Sequence, residues 1–237
     1  MRLVGSSSLL NILIVHHLSR FVSKLISHSC GASPGNSPSH LEAARALAKA
    51  MHAHGLNLVY GGGTVGIMGE VAKTLVSLSG PQSVHGIIPA ALVRYEQNYD
   101  PSDPDSIHKA IDKQIFGRTT VVKDMHTRKQ MMARDVMDGG AGGGFVALSG
   151  GFGTLEELAE VTTWNQLGIH GRPVCLYNID GYWDGLVQWI STAVGQGFIS
   201  EKNGGIIVVA KEAEEVIVKL REYRKSDDRF KLNWEEK

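Results

Sequence analysis

Residues 145–167 read FVALSGGFGTLEELAEVTTWNQL. Phe145, Val146, Ala147 and Leu148, with Ser149, are too few for a helix and run straight into glycines, so they read as a buried strand. Gly150-Gly151-Phe152-Gly153 breaks the run, and residues 154–167 return to helical spacing. A short apolar strand delivered through a glycine turn into a helix is the repeating step of a parallel sheet, because parallel neighbours need a crossover between them. The step recurs along the chain. Residues 56–60 run into Gly61-Gly62-Gly63, and the helix after them aligns Ile67, Val71, Leu75 and Leu78. Ser37 and Pro38 suit the N-cap and first position of an earlier helix striped by Leu41, Ala44, Leu47, Ala48 and Met51, with Gly55 as its stop. Residues 24–30, 84–88, 119–123, 174–177 and 206–210 read as further strands, and residues 124–138 as a helix. The alternation predicts a single α/β domain, a doubly wound parallel sheet with helices on both faces. That domain takes in residues 28–224. An arm at 1–27 precedes it, and a charged tail at 225–237 follows, which Phe230 and Trp234 can pin to the body.

At 237 residues the chain suits one core, and 43% apolar residues are enough to fill it. Lys and Arg number 24, as do Asp and Glu, so no net field draws the protein to nucleic acid or to an anionic membrane. Cys30 and Cys175 are the only cysteines; they exclude a disulfide scaffold and a cysteine-rich zinc site and fit a reducing, cytoplasmic setting. The histidines show no H-E-x-x-H or other ligand spacing, so no metal is expected, and His126 and His170 read as helix-end or interface residues. Residues 9–15 are apolar behind Arg2, but His16, His17 and Arg20 cut the run short. A bilayer span needs about twenty such residues, and a small-x-small cleavage site is missing.

Ligands of an open parallel sheet bind beyond the carboxyl ends of its strands. Three of those ends are glycine-rich: Cys30-Gly31-Ala32-Ser33-Pro34-Gly35, Gly61-Gly62-Gly63-Thr64-Val65-Gly66 and Gly150-Gly151-Phe152-Gly153. Such turns let the backbone approach a ligand, and the free N–H groups opening the next helix offer an anion donors and partial positive charge. Together they point to a phosphate-bearing ligand. The second turn satisfies G-x-G-x-x-G, but the next strand, residues 83–89 SVHGIIP, lacks the acidic residue that would meet a dinucleotide's ribose. NAD is thereby disfavoured, and no G-x-x-x-x-G-K-[ST] loop occurs.

Two further features concern charge. On the helix 124–138, Met125, Met132 and Val136 share a narrow arc, and Arg128 and Lys129 flank it, within about 60° of its centre. Burying a charge is costly unless it is paired. Either both cations point to an anion at the sheet edge, or they reach solvent or pair with Asp124 and Asp135. Thr154-Leu155-Glu156-Glu157 fits a capping box, in which Glu157 would close its own helix. Alternatively, Glu157 lies beside a phosphate-binding turn and faces the sugar of a nucleotide, where it orients water or stabilises developing positive charge.

These segments occur in the order of a known family. The first two glycine turns, Met125-His126-Thr127-Arg128-Lys129, Gly150-Gly151-Phe152-Gly153-Thr154-Leu155-Glu156-Glu157 and Thr163-Trp164-Asn165-Gln166-Leu167-Gly168-Ile169-His170 resemble the Lonely Guy family of cytokinin-activating phosphoribohydrolases, often labelled lysine decarboxylases. The resemblance spans roughly residues 30–223. It implies a Rossmann-like fold and hydrolysis of the N-glycosidic bond of a nucleoside 5′-monophosphate to free base and ribose 5-phosphate. It further implies no cofactor and a homodimer. By the family's motifs Arg128 and Glu157 carry catalysis. Gly63, Thr64, Glu96, Lys129, Gly150, Gly151, Phe152, Gly153, Thr154, Leu155, Glu156 and Thr163 are the implied substrate contacts, with the glycine-turn amides and Lys129 on the phosphate. The chemistry is consistent, since departure of the base leaves an oxocarbenium-like sugar that a carboxylate stabilises and water captures.

The chain departs from the family pattern in places. Ser149 stands where the loop usually begins with Pro, and Ser27, His28 and Ser29 stand where the first strand is usually apolar. Residues 98–117 and the GGAGGG turn at 139–144, read as a flexible surface turn, are longer than in compact members. Trp164 and Ile169 read as packing or dimer contacts. Ser106-Ile107-His108-Lys109 looks like the lysine motif of pyridoxal-phosphate decarboxylases, but the chain is too short for that two-domain architecture. A nucleotide carrier without turnover would share the glycine turns, but would not need Arg128 and Glu157 together. The preferred base, adenine or a prenylated adenine, is left open.

Overall fold

The computed structural model describes residues 24–96, 100, 102, 103, 106, 110–230 and 232. The apolar run at 9–15, most of the acidic loop after Glu96, the tetrapeptide beyond Ser106, and Trp234 lie outside them.

Strands β1 (Leu25–Ser29), β2 (Asn57–Tyr60), β3 (Val84–Pro89), β4 (Arg118–Val122), β5 (Gly144–Ala147), β6 (Val174–Tyr177) and β7 (Ile207–Ala210) form one sheet. Its order is β4-β3-β2-β1-β5-β6-β7, and every pairing is parallel. The chain builds outward from β1 to one edge, then crosses back to place β5 on the other side of β1, in register Ser27 to Phe145 and Ser29 to Ala147. The strand order therefore reverses between β1 and β5, and a crevice opens there at the carboxyl ends. The expected doubly wound α/β, Rossmann-like architecture is the one found.

Alternate residues of each strand face opposite sides. Ile26, Leu58, Tyr60, Val146 and Leu148 meet α1 (Ser39–Ala53), α2 (Gly66–Ser79) and α6 (Ala213–Glu222) on one face. Val59, Ile87, Phe145, Ala147 and Leu176 meet α3 (Met125–Asp138), α4 (Phe152–Gln166) and α5 (Asp184–Gly195) on the other, and Trp164 packs against this second core. Ala44, Leu47, Ala48 and Met51 of the α1 stripe are buried as the spacing predicts, and Leu41 is half-buried against the same core. Pro38 is already helical at φ −62°, ψ −23°, and Ser37 Oγ accepts from the Ser39 N–H at 3.4 Å. At the other end Gly55 turns left-handed at φ 62°. Its N–H donates to His52 C=O and the Leu56 N–H to Met51 C=O, the paired bonds of a glycine stop. Because Leu56 belongs to that cap, β2 begins one residue later than its apolar pattern suggests.

Three expectations need correction. The helix carrying Glu157 begins at Phe152, not Thr154, with Gly151 as N-cap. Glu157 therefore sits in the second turn and closes no helix end; T-x-x-E spacing also occurs inside helices, and here Phe152 and Gly153 continue the helical path back past the threonine. The GGAGGG turn is not loose where it starts. The Arg172 guanidinium donates to the carbonyls of Met137 (2.7 Å), Gly140 (2.9 Å) and Gly139, completing the C-terminus of α3. Phe230 holds the tail through its backbone rather than its ring. Its N–H donates to Gln166 C=O at 2.9 Å, while its side chain is exposed.

Candidate active site

Above the carboxyl ends of β1 and β5 lies a cleft of about 610 Å³. Glu157 is at its inner end, only 9% exposed. Its Oε1 accepts from Arg128 Nη2 at 2.5 Å and its Oε2 from Ser29 Oγ at 2.6 Å. Both oxygens are thus held by groups from two other elements, α3 and β1. Arg128 enters from the first turn of α3, where Asp124 Oδ1 caps the helix by accepting from the Thr127 N–H at 2.7 Å. Arg128 is 8% exposed, and its guanidinium lies against Gly61, just past the end of β2. A Cβ added at Gly61 would stand 2.8 Å from Arg128 Nη2, so this glycine makes room for the arginine. Arg128 Nε is buried without a hydrogen-bond partner among the described residues. The arginine thus orients the carboxylate and keeps donor capacity beyond it. Neither Asp124 nor Asp135 takes up Arg128 or Lys129: Asp124 caps α3, and Asp135 meets His85.

Lys129 departs from its expected role. Its Nζ lies 2.5 Å from Glu156 Oε1 and 3.2 Å from Glu160 Oε1, and it does not line the cleft. Burial alone would lower its pKa, but the hydrogen bonds it donates to the two carboxylates hold it above the ordinary lysine value. Lys129 straps α3 to α4 and so fixes the distance between Arg128 and Glu157.

The remaining expected contacts divide into three groups. Gly150, Gly151, Gly153, Thr154 and Glu156 line the cleft with Arg128 and Glu157. Gly63, Thr64 and Glu96 form a separate cluster, in which Glu96 Oε2 accepts from the Thr64 N–H at 3.1 Å and from the Thr64 hydroxyl. Phe152 is 92% exposed, while Leu155 and Thr163 face a different groove beside Trp189, across α4 from the cleft. Their places follow from α4 itself: successive positions rotate by about 100°, so one motif supplies two sides of a helix.

Several cleft residues were missed from sequence. His28, Ser29, His40, Ser149 and Tyr182 all line it, beside Cys30 of the first glycine turn. For the first two a signal existed, since polar residues at the carboxyl end of a central strand have no packing reason to be there. None existed for Tyr182, which follows β6 and reaches the cleft only because β6 lies beside β5. His28 Nδ1 lies 3.2 Å from Cys30 Sγ. Burial pushes the His28 pKa down to about 3, and burial with the nearby Glu157 charge pushes the Cys30 thiol well up. The histidine is therefore uncharged and the thiol protonated near neutrality, so neither is poised as proton donor or nucleophile. No lysine among the described residues lines the cleft. Among the described residues no group of three or more His, Cys, Asp or Glu could hold a metal ion, and no helix is long and apolar enough to cross a membrane.

The site thus pairs a fixed, largely desolvated carboxylate with the amide-rich start of α4, whose dipole favours an anion. Residues 68–220 match the family model described as possible lysine decarboxylase. A "Bifunctional cytokinin biosynthesis protein" of Fusarium pseudograminearum is 52% identical over 86% of this chain, which spans only 41% of that relative's length. A probable cytokinin riboside 5′-monophosphate phosphoribohydrolase of Oryza sativa subsp. japonica is 44% identical, covering 87% of this chain and 88% of its own. A cytokinin riboside 5′-monophosphate phosphoribohydrolase of Arabidopsis thaliana is 42% identical, over 92% and 90% respectively. Among solved structures, the molybdenum cofactor carrier protein of Chlamydomonas reinhardtii superposes with a TM-score of 0.55 at 20% identity, covering 83% of this chain and 94% of its own, a likeness of fold alone. By its motifs, its family model and these relatives, the chain belongs to the family of cytokinin riboside 5′-monophosphate phosphoribohydrolases.

Proposed function

We propose that the protein hydrolyses the N-glycosidic bond of adenosine 5′-monophosphate or its N6-modified forms, releasing the free base and ribose 5-phosphate. The observation that carries this reading is Glu157, locked by Arg128 and Ser29 beside the amide-rich start of α4. The 5′-phosphate sits against the α4 amides and places the sugar at the inner end of the cleft. As the base leaves, positive charge grows on the sugar ring, and the fixed carboxylate stabilises it before water captures the anomeric carbon. Binding of the unreactive phosphate thus supplies orientation at the reacting bond. Arg128 holds one carboxylate oxygen and offers its remaining donors to the substrate.

The test is to incubate the purified protein with adenosine monophosphate and its N6-prenylated analogue and to follow the free base by chromatography. Base should appear from at least one of them. Glu157→Gln should lower kcat by about a thousandfold or more, the scale of losing charge stabilisation in a desolvated site, with the fold retained by circular dichroism. Unchanged turnover in that variant would remove Glu157 from the mechanism. Adenosine, lacking the phosphate, should be a poor substrate. We place the protein in the cytoplasm, where its free, buried Cys30 and Cys175 stay reduced. For the homodimer, the apolar groove of Leu155, Leu158, Trp189 and Ile190 is the face that would meet a second copy.

A further inference from the structure

The two peptide units that open the turn into α4 are each gripped by the carbonyl. Ser149 C=O accepts from the Gly31 N–H at 2.9 Å, and Gly150 C=O accepts from the Tyr182 hydroxyl. In a trans peptide the carbonyl and the following N–H point to opposite sides. Whatever holds the Gly150 carbonyl therefore sets the direction of the Gly151 N–H, and Gly151 is the N-cap of α4 on the cleft wall.

Tyr182 is itself held for this task. Its ring is edge-on to His40 (centroids 5.9 Å apart, 80°) and to Trp183 (5.0 Å, 90°). His40 in turn lies 3.0 Å through Nδ1 from Ser149 Oγ. Ser149 occupies the position where the family motif usually begins with Pro, so a side-chain bond here fastens a residue that a ring fixes elsewhere. The turn leading to Tyr182 contains Asp180 at φ 51°, a conformation disfavoured for any residue with a Cβ, and Asp180 Oδ2 accepts from Ser39 Oγ at 2.6 Å. Such local strain persists where the surroundings over-determine it, and it gathers at ligand clamps. The Tyr182 ring is half-exposed, so its hydroxyl has no core to satisfy.

We propose that Tyr182 is a positioning residue of the anion site. Its hydroxyl orients the Gly150–Gly151 peptide, and the Gly151 N–H then converges with the first amides of α4 on the 5′-phosphate. The proposal rests on the reading above for the identity of the substrate, but not for the geometry of the turn.

The test compares the full-length protein with Tyr182→Phe, which removes one oxygen and keeps the ring. Affinity for ribose 5-phosphate is measured by calorimetry, and kcat and KM are measured on the 5′-monophosphate substrate, with adenosine as the phosphate-free control. The variant should bind ribose 5-phosphate about tenfold more weakly, the size of one oriented hydrogen bond. KM should rise by a similar factor, kcat should change by less than twofold, and kcat/KM on adenosine and the melting temperature should stay unchanged. Equal affinity for ribose 5-phosphate in the two proteins overturns the proposal, as does a fall in kcat at constant KM. Should the wild type bind ribose 5-phosphate, lose that affinity in Tyr182→Phe and yet release no base from either nucleotide, the functional reading fails and the positioning role stands.

Discussion

Gly61 has no side chain because the Arg128 guanidinium occupies that place. In the sequence it belongs to a G-x-G-x-x-G turn and looks like a phosphate contact; in the structure its small size serves the arginine. The two explanations separate under Gly61→Ala. The position does not have a positive φ, so the backbone accepts alanine, but the added methyl would stand 2.8 Å from Nη2 and displace the guanidinium from Glu157. We expect kcat to fall by about one to two orders of magnitude, since a misplaced catalytic group costs about a hundredfold, with a smaller change in KM. A rise in KM at constant kcat would return Gly61 to the phosphate site. The same logic applies to Lys129. An unpaired cation on a buried stripe signals that some anion must be near, but the sequence does not say whether that anion is substrate or protein. Glu156 and Glu160 answer it, and they were invisible as partners because they lie on another helix.

At the scale of elements, α3 matters most because it carries both Arg128 and Lys129, and where it starts and stops sets their meeting with the carboxylates of α4. Asp124 satisfies its first amides, and this backbone hydrogen bond holds the Asp124 carboxyl below its usual range. Arg172 satisfies its last carbonyls from the loop before β6. The first cap is legible as an Asp three residues before the bonded amide; the second is not, since Arg172 is 32 or more residues from the carbonyls it meets. We expect Arg172→Ala to destabilise the protein by about 1.5–3 kcal/mol, the range for hydrogen bonds from a charged donor, read as a lower urea midpoint at constant slope. Arg172→Lys should recover only a small part, because an ammonium cannot span three carbonyls as a planar fork does. Full stability in the alanine variant would show that water replaces the guanidinium without loss.

Across the whole molecule, burial of titratable groups sets the response to acid. Burial lowers the pKa of His28 to about 3 and of His170 to about 4, against an ordinary value of 6.5. Above pH 6.5 both are neutral whether folded or unfolded, and neither affects stability. Below it the unfolded chain takes up protons that the native state refuses, so stability falls with pH down to the native values and levels off beneath them. The melting temperature should drop between pH 7 and pH 4.5, and His28→Val should make that drop shallower. An identical slope in the variant would show that His28 protonates without unfolding. His28 is a polar residue in the middle of the sheet, with Nε2 buried and without a hydrogen-bond partner among the described residues. The sequence marks it as out of place in an apolar strand, but only the packing above and below β1 turns that into an acid liability.

The chain alone determined the class of fold and the turns that border the cleft, and its resemblance to the family singled out Arg128 and Glu157. The fold and the turns follow from local rules: short apolar runs and glycines at strand ends; the helix with cations on its buried stripe left their partner open. What the tertiary structure decided was partnership. That Glu157 bonds Ser29 and Arg128 rather than its own helix end, that Lys129 straps two helices, and that Tyr182 reaches the Gly150 carbonyl all depend on which elements lie side by side. Adjacency across a doubly wound sheet is set by strand order, which brings β5 back beside β1 after residues 30–143 have intervened. No periodicity within a single segment contains that information, because the contacts are fixed by packing between segments.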